Sequence, residues 1–190
     1  FQYINAGKKG VTLNLRDQRA KKYLSKLIGS VDVVVEDCLP SEVVDSSLDY
    51  ETVRKINPKV ILASITPFGH EGPYREWAAT DLTLYHMGGL GYATPGLVAD
   101  PETQAPLRAA SYQAEFLGAL GASLNICSAI LVRDLQNGTG CHIDFSTYET
   151  LVSFVRQGVV SYAFNGTGLS RLLSRGRGAG GLASWRNIRC

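Results

Sequence analysis

Asn57-Pro58-Lys59-Val60-Ile61-Leu62-Ala63-Ser64-Ile65 decides the fold. Asn57-Pro58 halts a helix, because proline lacks a backbone donor and pushes the residue before it out of helical geometry. The run Val60–Ile65 that follows is apolar except for Ser64 and rich in β-branched residues, which predicts a strand. Upstream, behind Gly29, Val31-Asp-Val-Val-Val35 is a short run of the buried, parallel-sheet type. Between the two, a polar, serine-rich stretch from Ser41 leads into a helix over Tyr50–Ile56. Further upstream, Val11-Thr-Leu-Asn-Leu15 alternates and predicts another strand. Arg16–Ile28 carries Ala20, Tyr23, Leu24, Leu27 and Ile28 at helical spacing. Strands alternating with helices predict an α/β class with a parallel sheet.

Downstream of the deciding strand, Thr66–Trp77 is a loop rich in proline and glycine at a strand's carboxyl end, where such sheets place ligand contacts. Asp81–Met87 predicts a short helix, and Gly88–Gly96 a glycine-rich turn region. Tyr112–Leu135 reads as the longest helix, apolar on nearly every side and therefore expected to be buried. Asn137-Gly138 ends it, His142–Phe145 follows as a short strand, and Tyr148–Phe164 as one further helix. The predicted organisation is one sheet domain over 1–165 and a glycine- and arginine-rich linker or tail over 166–190.

Composition narrows the function. Of 190 residues the charged ones nearly balance, at a formal net charge of +2, and bases are interspersed with acids, which argues against a nucleic-acid binder. Cys38, Cys127, Cys141 and Cys190 lack paired spacing, so reduced thiols and a cytoplasmic setting are expected. No stretch is read as reaching the roughly 18 to 20 apolar residues of a bilayer span, and no signal peptide is recognised. The chain opens at Phe1 without methionine, so a natural start upstream is expected.

Glu115 is the acid at the start of the long apolar helix. The helix's amino-terminal partial charge would keep it ionised while partial burial strips its water, which suits a nucleophile towards a thioester; a first-turn acid also serves helix stability alone. Lys8, Lys9 and Arg75 are candidates to meet phosphate, although exposed basic residues commonly just solvate a surface. His70, His86 and His142 share no ligand spacing, so no metal is expected. Gly89-Leu-Gly91 follows no strand, which leaves a nicotinamide site unsupported, and no serine nucleophile elbow is present.

Four collinear passages resemble the class III CoA-transferases, a family that includes formyl-CoA transferase, carnitine CoA-transferase and α-methylacyl-CoA racemase. Asn5-Ala-Gly-Lys-Lys-Gly-Val-Thr-Leu-Asn-Leu15 resembles the family's N-x-G-K-x-S-x-x-L-D-L entry, and Val33-Val-Val-Glu-Asp-Cys-Leu-Pro40 its V-x-V-E-N-F-R-P strand and turn. Asn57–Ile65 with Phe68-Gly69 and Gly72-Pro-Tyr74 is similar to N-P-x-L-I-x-x-S-I-x-G-F-G-x-x-G-P-Y, and Asn137–Ser146 to T-G-x-G-Q-x-V-D-V-S. The family places its catalytic aspartate seven residues after an arginine, and counting from Arg108 reaches Glu115.

The resemblance implies a Rossmann-like parallel sheet with flanking helices, truncated relative to the family and paired or intertwined as a homodimer. It implies coenzyme A or an acyl-CoA as substrate rather than a tightly bound cofactor and a carboxylic acid as co-substrate; from the charge balance and the apolar stretches above, neither nucleic acid nor membrane is expected as partner. Glu115 would be the nucleophile. CoA contacts would fall at Lys8, Lys9, Asp37, Cys38, Pro40, Arg75 and Asp81, with Phe68, Gly69 and Tyr74 along the acyl and pantetheine path. Several positions depart from the family pattern: Glu115 replaces aspartate, Asp37 and Cys38 replace asparagine and phenylalanine, and Leu39 replaces arginine. Thr80 stands where the racemase branch has a proton-transferring histidine, which favours transfer over racemisation. Two other readings stay open: a catalytically incompetent CoA-binding or oligomerising module, and an acyl-CoA racemase or isomerase using Asp81 and Glu115.

Overall fold

The structure is a computed structural model and describes residues 2–92, 94, 98, 100, 103–136 and 138–166. The elements in order are α1 (Gln2–Asn5), α2 (Gln18–Ile28), β1 (Val33–Glu36), α3 (Pro40–Ser46), α4 (Tyr50–Ile56), β2 (Ile61–Thr66), α5 (Asp81–Met87), α6 (Gln113–Leu135), β3 (His142–Ser146), α7 (Thr147–Phe154) and α8 (Arg156–Asn165). The three strands form one parallel sheet in the order β1-β2-β3, with Val33 beside Ile61 and Leu62 beside His142 at the start of each ladder.

β2 is the middle strand and is covered on both sides. Leu62 packs with Val34, Ile28, Leu48 and Val53, so α2 and α4 lie over that face. Side chains alternate along a strand, which turns Ala63 and Ile65 to the opposite face, shared with Phe145. There α6 comes so close that a Cβ on Gly121 would lie 3.0 Å from the Phe145 ring. A second apolar cluster, Phe68, Leu84, Tyr85, Ala114 and Leu151, ties α5, α6 and α7 together beyond the sheet.

Local chemistry sets the element ends. Asp17 caps α2 by accepting from Arg19 N at 2.8 Å, so the helix starts two residues later than Arg16. Asp49 accepts from Thr52 N to start α4, and Asn57 Nδ2 donates to the carbonyls of Ile28 and Val31, joining the ends of α2 and α4. The polar stretch after Ser41 holds a helix of its own, α3, signalled by Pro40 at its first position and Glu42 in its first turn.

Four expectations need correction. Val11–Leu15 forms no strand: strand propensity does not suffice without a neighbouring strand to take the backbone hydrogen bonds, and among the described residues none pairs with it. The helix over Tyr148–Phe164 is two, α7 and α8, broken at Val155, whose side chain sits against Gly89. α6 is not buried. Its inward stripe is Ala114, Gly118 and Ala122, whereas Leu120, Leu124, Leu131 and Leu135 face outward, Leu124 at 70% exposure. Finally, by length and composition alone, the 23-residue α6 is long and apolar enough to cross a bilayer, which the reading of the sequence had denied of every segment. The glycine-rich turn over Gly88–Gly96 lies partly, and the tail almost wholly, outside the described residues.

The turn into β3 depends on backbone proximity. Gly140 N donates to Pro58 O at 2.9 Å, Tyr50 Oη donates to Gly140 O at 3.2 Å, and a Cβ on Gly140 would overlap the Val60 carbonyl. Gly140→Ala should therefore lower the unfolding free energy by about 3 kcal/mol in urea melts, because backbone rather than a flexible side chain must give way. Gly10→Ala, with nothing within 4 Å of the added carbon, serves as the control and should change stability by less than about 0.5 kcal/mol.

Candidate active site

The carboxyl ends of β1 and β2 meet the first turn of α6 at a cleft of about 600 Å3. This is where open parallel sheets bind ligands, since strands end there and connecting loops diverge. β1 brings Val35 and Glu36, followed by Asp37; β2 brings Ile65 and Thr66, followed by Pro67. Asp81 and Leu84 come from α5, Glu115 and Ala119 from α6, and Thr147 from the start of α7.

The first turn of α6 is held from a distance. A helix leaves its first amide groups without internal partners, and Tyr112 at the cap position makes no side-chain capping bond. Asp81 Oδ1 accepts from Ala114 N at 2.7 Å and from Glu115 N at 3.1 Å. Asp81 is itself only 7% exposed and Ala114 is fully buried, so bulk water would not serve the Ala114 amide equally well. Leaving such a buried donor unmet costs about 1–3 kcal/mol. Ser111, just before the helix, has a φ of 63°, a left-handed conformation that suits few side chains.

Glu115 sits beside this anchor and lines the cleft. It is exposed rather than partly desolvated, because the buried stripe of the helix runs through Ala114 and Gly118 and Glu115 lies one position off it. The structure brings Glu115, Asp37 and Asp81 onto one cleft. The other candidate contacts lie elsewhere. Lys8 and Lys9 are exposed in an irregular segment after α1 and do not line the cleft. Cys38 packs against the core beneath α2 and α4, and its N–H donates to Glu36 Oε2 at 2.7 Å. Burial, then the Glu36 carboxylate, pushes its thiol up to about 11, so it is protonated at neutral pH. Pro40 opens α3.

Phe68 is in the core, its ring 5.8 Å from Tyr74, 6.4 Å from Trp77 and 5.7 Å from Tyr148. Gly69 takes a φ of 79° and donates from its amide to Thr66 Oγ1 at 2.8 Å. Tyr74 stacks obliquely on Trp77 at 4.5 Å, and Arg75 Nε is 3.7 Å from Glu76, which in turn accepts from Ser41 Oγ at 2.7 Å. Past Thr66 and Pro67, which line the cleft, the proline- and glycine-rich loop is thus an aromatic buttress tied to α3.

A polar cluster that the sequence reading did not assemble lies on the α4 side of the sheet. The register sets Glu36 beside Ser64 and Ser64 beside Asp144. Both carboxylate oxygens of Asp144 accept from His70 N, at 3.0 and 3.1 Å, and Ser64 Oγ pairs with His142 Nε2 at 2.9 Å. His142 stacks on Tyr50 with ring centres 5.4 Å apart and lies 6.0 Å from His70. Glu36 Oε1 and His70 Nε2 face each other at 4.0 Å. The alternation of His142, Asp144 and Ser146 along one strand was the available signal, since period-two spacing sends all three to one face.

Similarity to known proteins follows the same lines. The family model described as CoA-transferase family III matches residues 1–186. The acetyl-CoA:oxalate CoA-transferase of Acetobacter aceti is 29% identical over 175 residues, covering 92% of this chain and 44% of that protein. The formyl-CoA:oxalate CoA-transferase of Streptomyces coelicolor is 34% identical over 159 residues, covering 82% of this chain and 36% of that protein. The crystal structure of a CAIB/BAIF family protein from Brucella suis superposes with a TM-score of 0.79 at 30% identity, covering 87% of this chain and 42% of that one. The chain therefore spans less than half the length of these relatives.

Loss of water around the His142 ring, with His70 nearby, lowers its pKa below the ordinary histidine value, partly offset by Asp144 and Glu36. The unfolded chain then takes up this proton at a higher pH than the folded one, so stability falls as pH drops from above about 6.5 through the lowered folded value. Urea midpoints measured at pH 7.5 and 5.5 should show this loss, and His142→Gln should show less of it; an equal loss in the variant would remove His142 as its source.

Proposed function

Because the chain belongs to CoA-transferase family III, we propose that it carries the nucleophile-bearing portion of an enzyme that moves CoA between an acyl-CoA thioester and a carboxylic acid. The observation that supports this best is the place of Glu115: an exposed carboxylate in the first turn of a long helix, on a cleft at the carboxyl ends of parallel strands. The cleft gives a thioester access to that carboxylate, and a negative group is well placed in the first turn of a helix.

In this reading Glu115 attacks the acyl-CoA carbonyl, the C–S bond breaks, and a mixed anhydride and CoA thiolate result. The thiolate attacks the glutamyl carbonyl and releases the donor acid, leaving a glutamyl-CoA thioester. The acceptor carboxylate attacks that thioester to give a second anhydride and thiolate. Return of the thiolate to the acceptor's acyl carbon forms the new acyl-CoA and frees Glu115. Asp37, at the end of β1, is the other exposed acid on the cleft, and the exposed Lys8 and Lys9 are candidates for the nucleotide end of CoA, as is Arg75.

The extra methylene of glutamate over the family's aspartate is absorbed, in this proposal, by the open cleft. Pairing with a second copy, through apolar surface such as the outward side of α6, and a cytoplasmic setting, consistent with the free thiols of Cys38, Cys127 and Cys141, belong to the same proposal. Racemisation is disfavoured because Asp81 has an oxygen engaged by two backbone amides. The non-catalytic module differs in one respect only, that Glu115 would form no adduct.

Intact mass after incubation with an acyl-CoA panel and hydroxylamine separates these readings, since hydroxylamine converts an activated glutamyl group into a stable hydroxamate. The expected result is a hydroxamate mapped to Glu115 that is missing in Glu115→Gln. CoA binding without any adduct would sink the nucleophile and leave the binding module.

A further inference from the structure

We propose that Asp81 is a positioning residue for Glu115: it clamps the first turn of α6 by its backbone so that the Glu115 carboxylate is presented to the cleft at a fixed angle. The inference rests on the reading of Glu115 as nucleophile and adds to it the group that aims it. It replaces the two roles that the sequence suggested for Asp81, contact with CoA and proton transfer.

Three observations converge. Helix α6 cannot cap itself, because Tyr112 offers no oxygen to the first-turn amides and the residue before it, Ser111, is already in a left-handed turn. One oxygen of Asp81 takes both the Ala114 and Glu115 amides, so the contact grips the backbone of the proposed nucleophile itself. Asp81 is in turn anchored by packing: it opens α5, whose cap Thr80 accepts from Thr83 N at 3.3 Å, and α5 packs on α6 and α7 through the cluster of Leu84, Tyr85, Ala114 and Leu151.

The clamp therefore transmits the position of one packed helix to the reacting end of another. An aspartate is suited to this because its short side chain places an acceptor oxygen with few rotatable bonds, and because negative charge is favoured at a helix's amino terminus. Asparagine keeps the acceptor and loses the charge, which gives the test its control.

Two measurements on Asp81→Ala and Asp81→Asn decide the matter, with Asp81→Leu, close to asparagine in shape and without an acceptor, standing in for alanine if that variant does not fold. In hydrogen exchange, Asp81→Ala should speed exchange at the Ala114 and Glu115 amides about tenfold or more, with Gly118 and Ala122 little changed, while Asp81→Asn keeps the protection. In hydroxylamine labelling at saturating acyl-CoA, Asp81→Ala should slow modification of Glu115 by roughly 100-fold and Asp81→Asn by less than about fivefold, as misplacement of a reacting group predicts. The half-saturating acyl-CoA concentration should move less than about threefold in either, because a clamp acts on the backbone of α6 and not on the substrate.

Unchanged exchange at both amides in Asp81→Ala would overturn the clamp. An asparagine variant as slow as alanine, with its amides still protected, would overturn positioning in favour of direct action by the carboxylate. Absence of any hydroxamate in the unsubstituted protein is a failure of the transfer reading, and the exchange data then decide by themselves whether Asp81 holds the turn.

Discussion

Burial of β2 on both faces is the constraint on which the rest depends. Val60, just before the strand, and Ile61, Leu62 and Ala63 within it are at most 1% exposed, as expected of a strand whose backbone is paired on both edges and whose side chains are covered above and below. β1 and β3 supply the edges, α2 and α4 one cover, and α6 the other. Each of these elements must be in register before the strand is shielded from water. The close approach of Gly140 to the Val60 carbonyl fixes where β3 starts, and that start fixes Asp144 beside Ser64. The cleft inherits its geometry from this, since its floor is the carboxyl end of the same strand.

The acids around the cleft divide by what holds them. Glu36, 5% exposed, has one oxygen on the Cys38 amide, and Asp81 has one oxygen on two amides of α6. Each carboxylate thus ties one stretch of backbone to another part of the site, so these two serve as struts. Asp37 and Glu115 are exposed and face the space between the struts.

Much of this was legible locally. Asn57-Pro58 before an apolar run announced β2 because proline's effect on its neighbours does not depend on context. Glu115 stood out because an acid at the start of an apolar helix is conspicuous in any window that includes both. Val11–Leu15 misled because strand propensity says nothing of whether a partner strand is present. The burial of α6 was misread because composition reports apolarity without direction; the small residues at 114, 118 and 122, four apart, were the usable sign of the packed side. The grip of Asp81 on Ala114 had no sequence signal at all, being a contact across 33 positions that only the packing of α5 against α6 creates.

The narrow seam between α6 and α7 sets an asymmetry in what the helix tolerates. On its inner side a Cβ on Gly118 would lie 2.8 Å from Thr147 Cγ2, and one on Gly121 would press on Phe145 and Thr150, so even the smallest enlargement displaces a neighbour. On its outer side the leucines at 120, 124, 131 and 135 touch little of their own chain. For protein engineering, the two sides are different materials: glycines that admit no methyl group, and leucines that can be exchanged for glutamate or lysine to tune solubility without repacking the single chain.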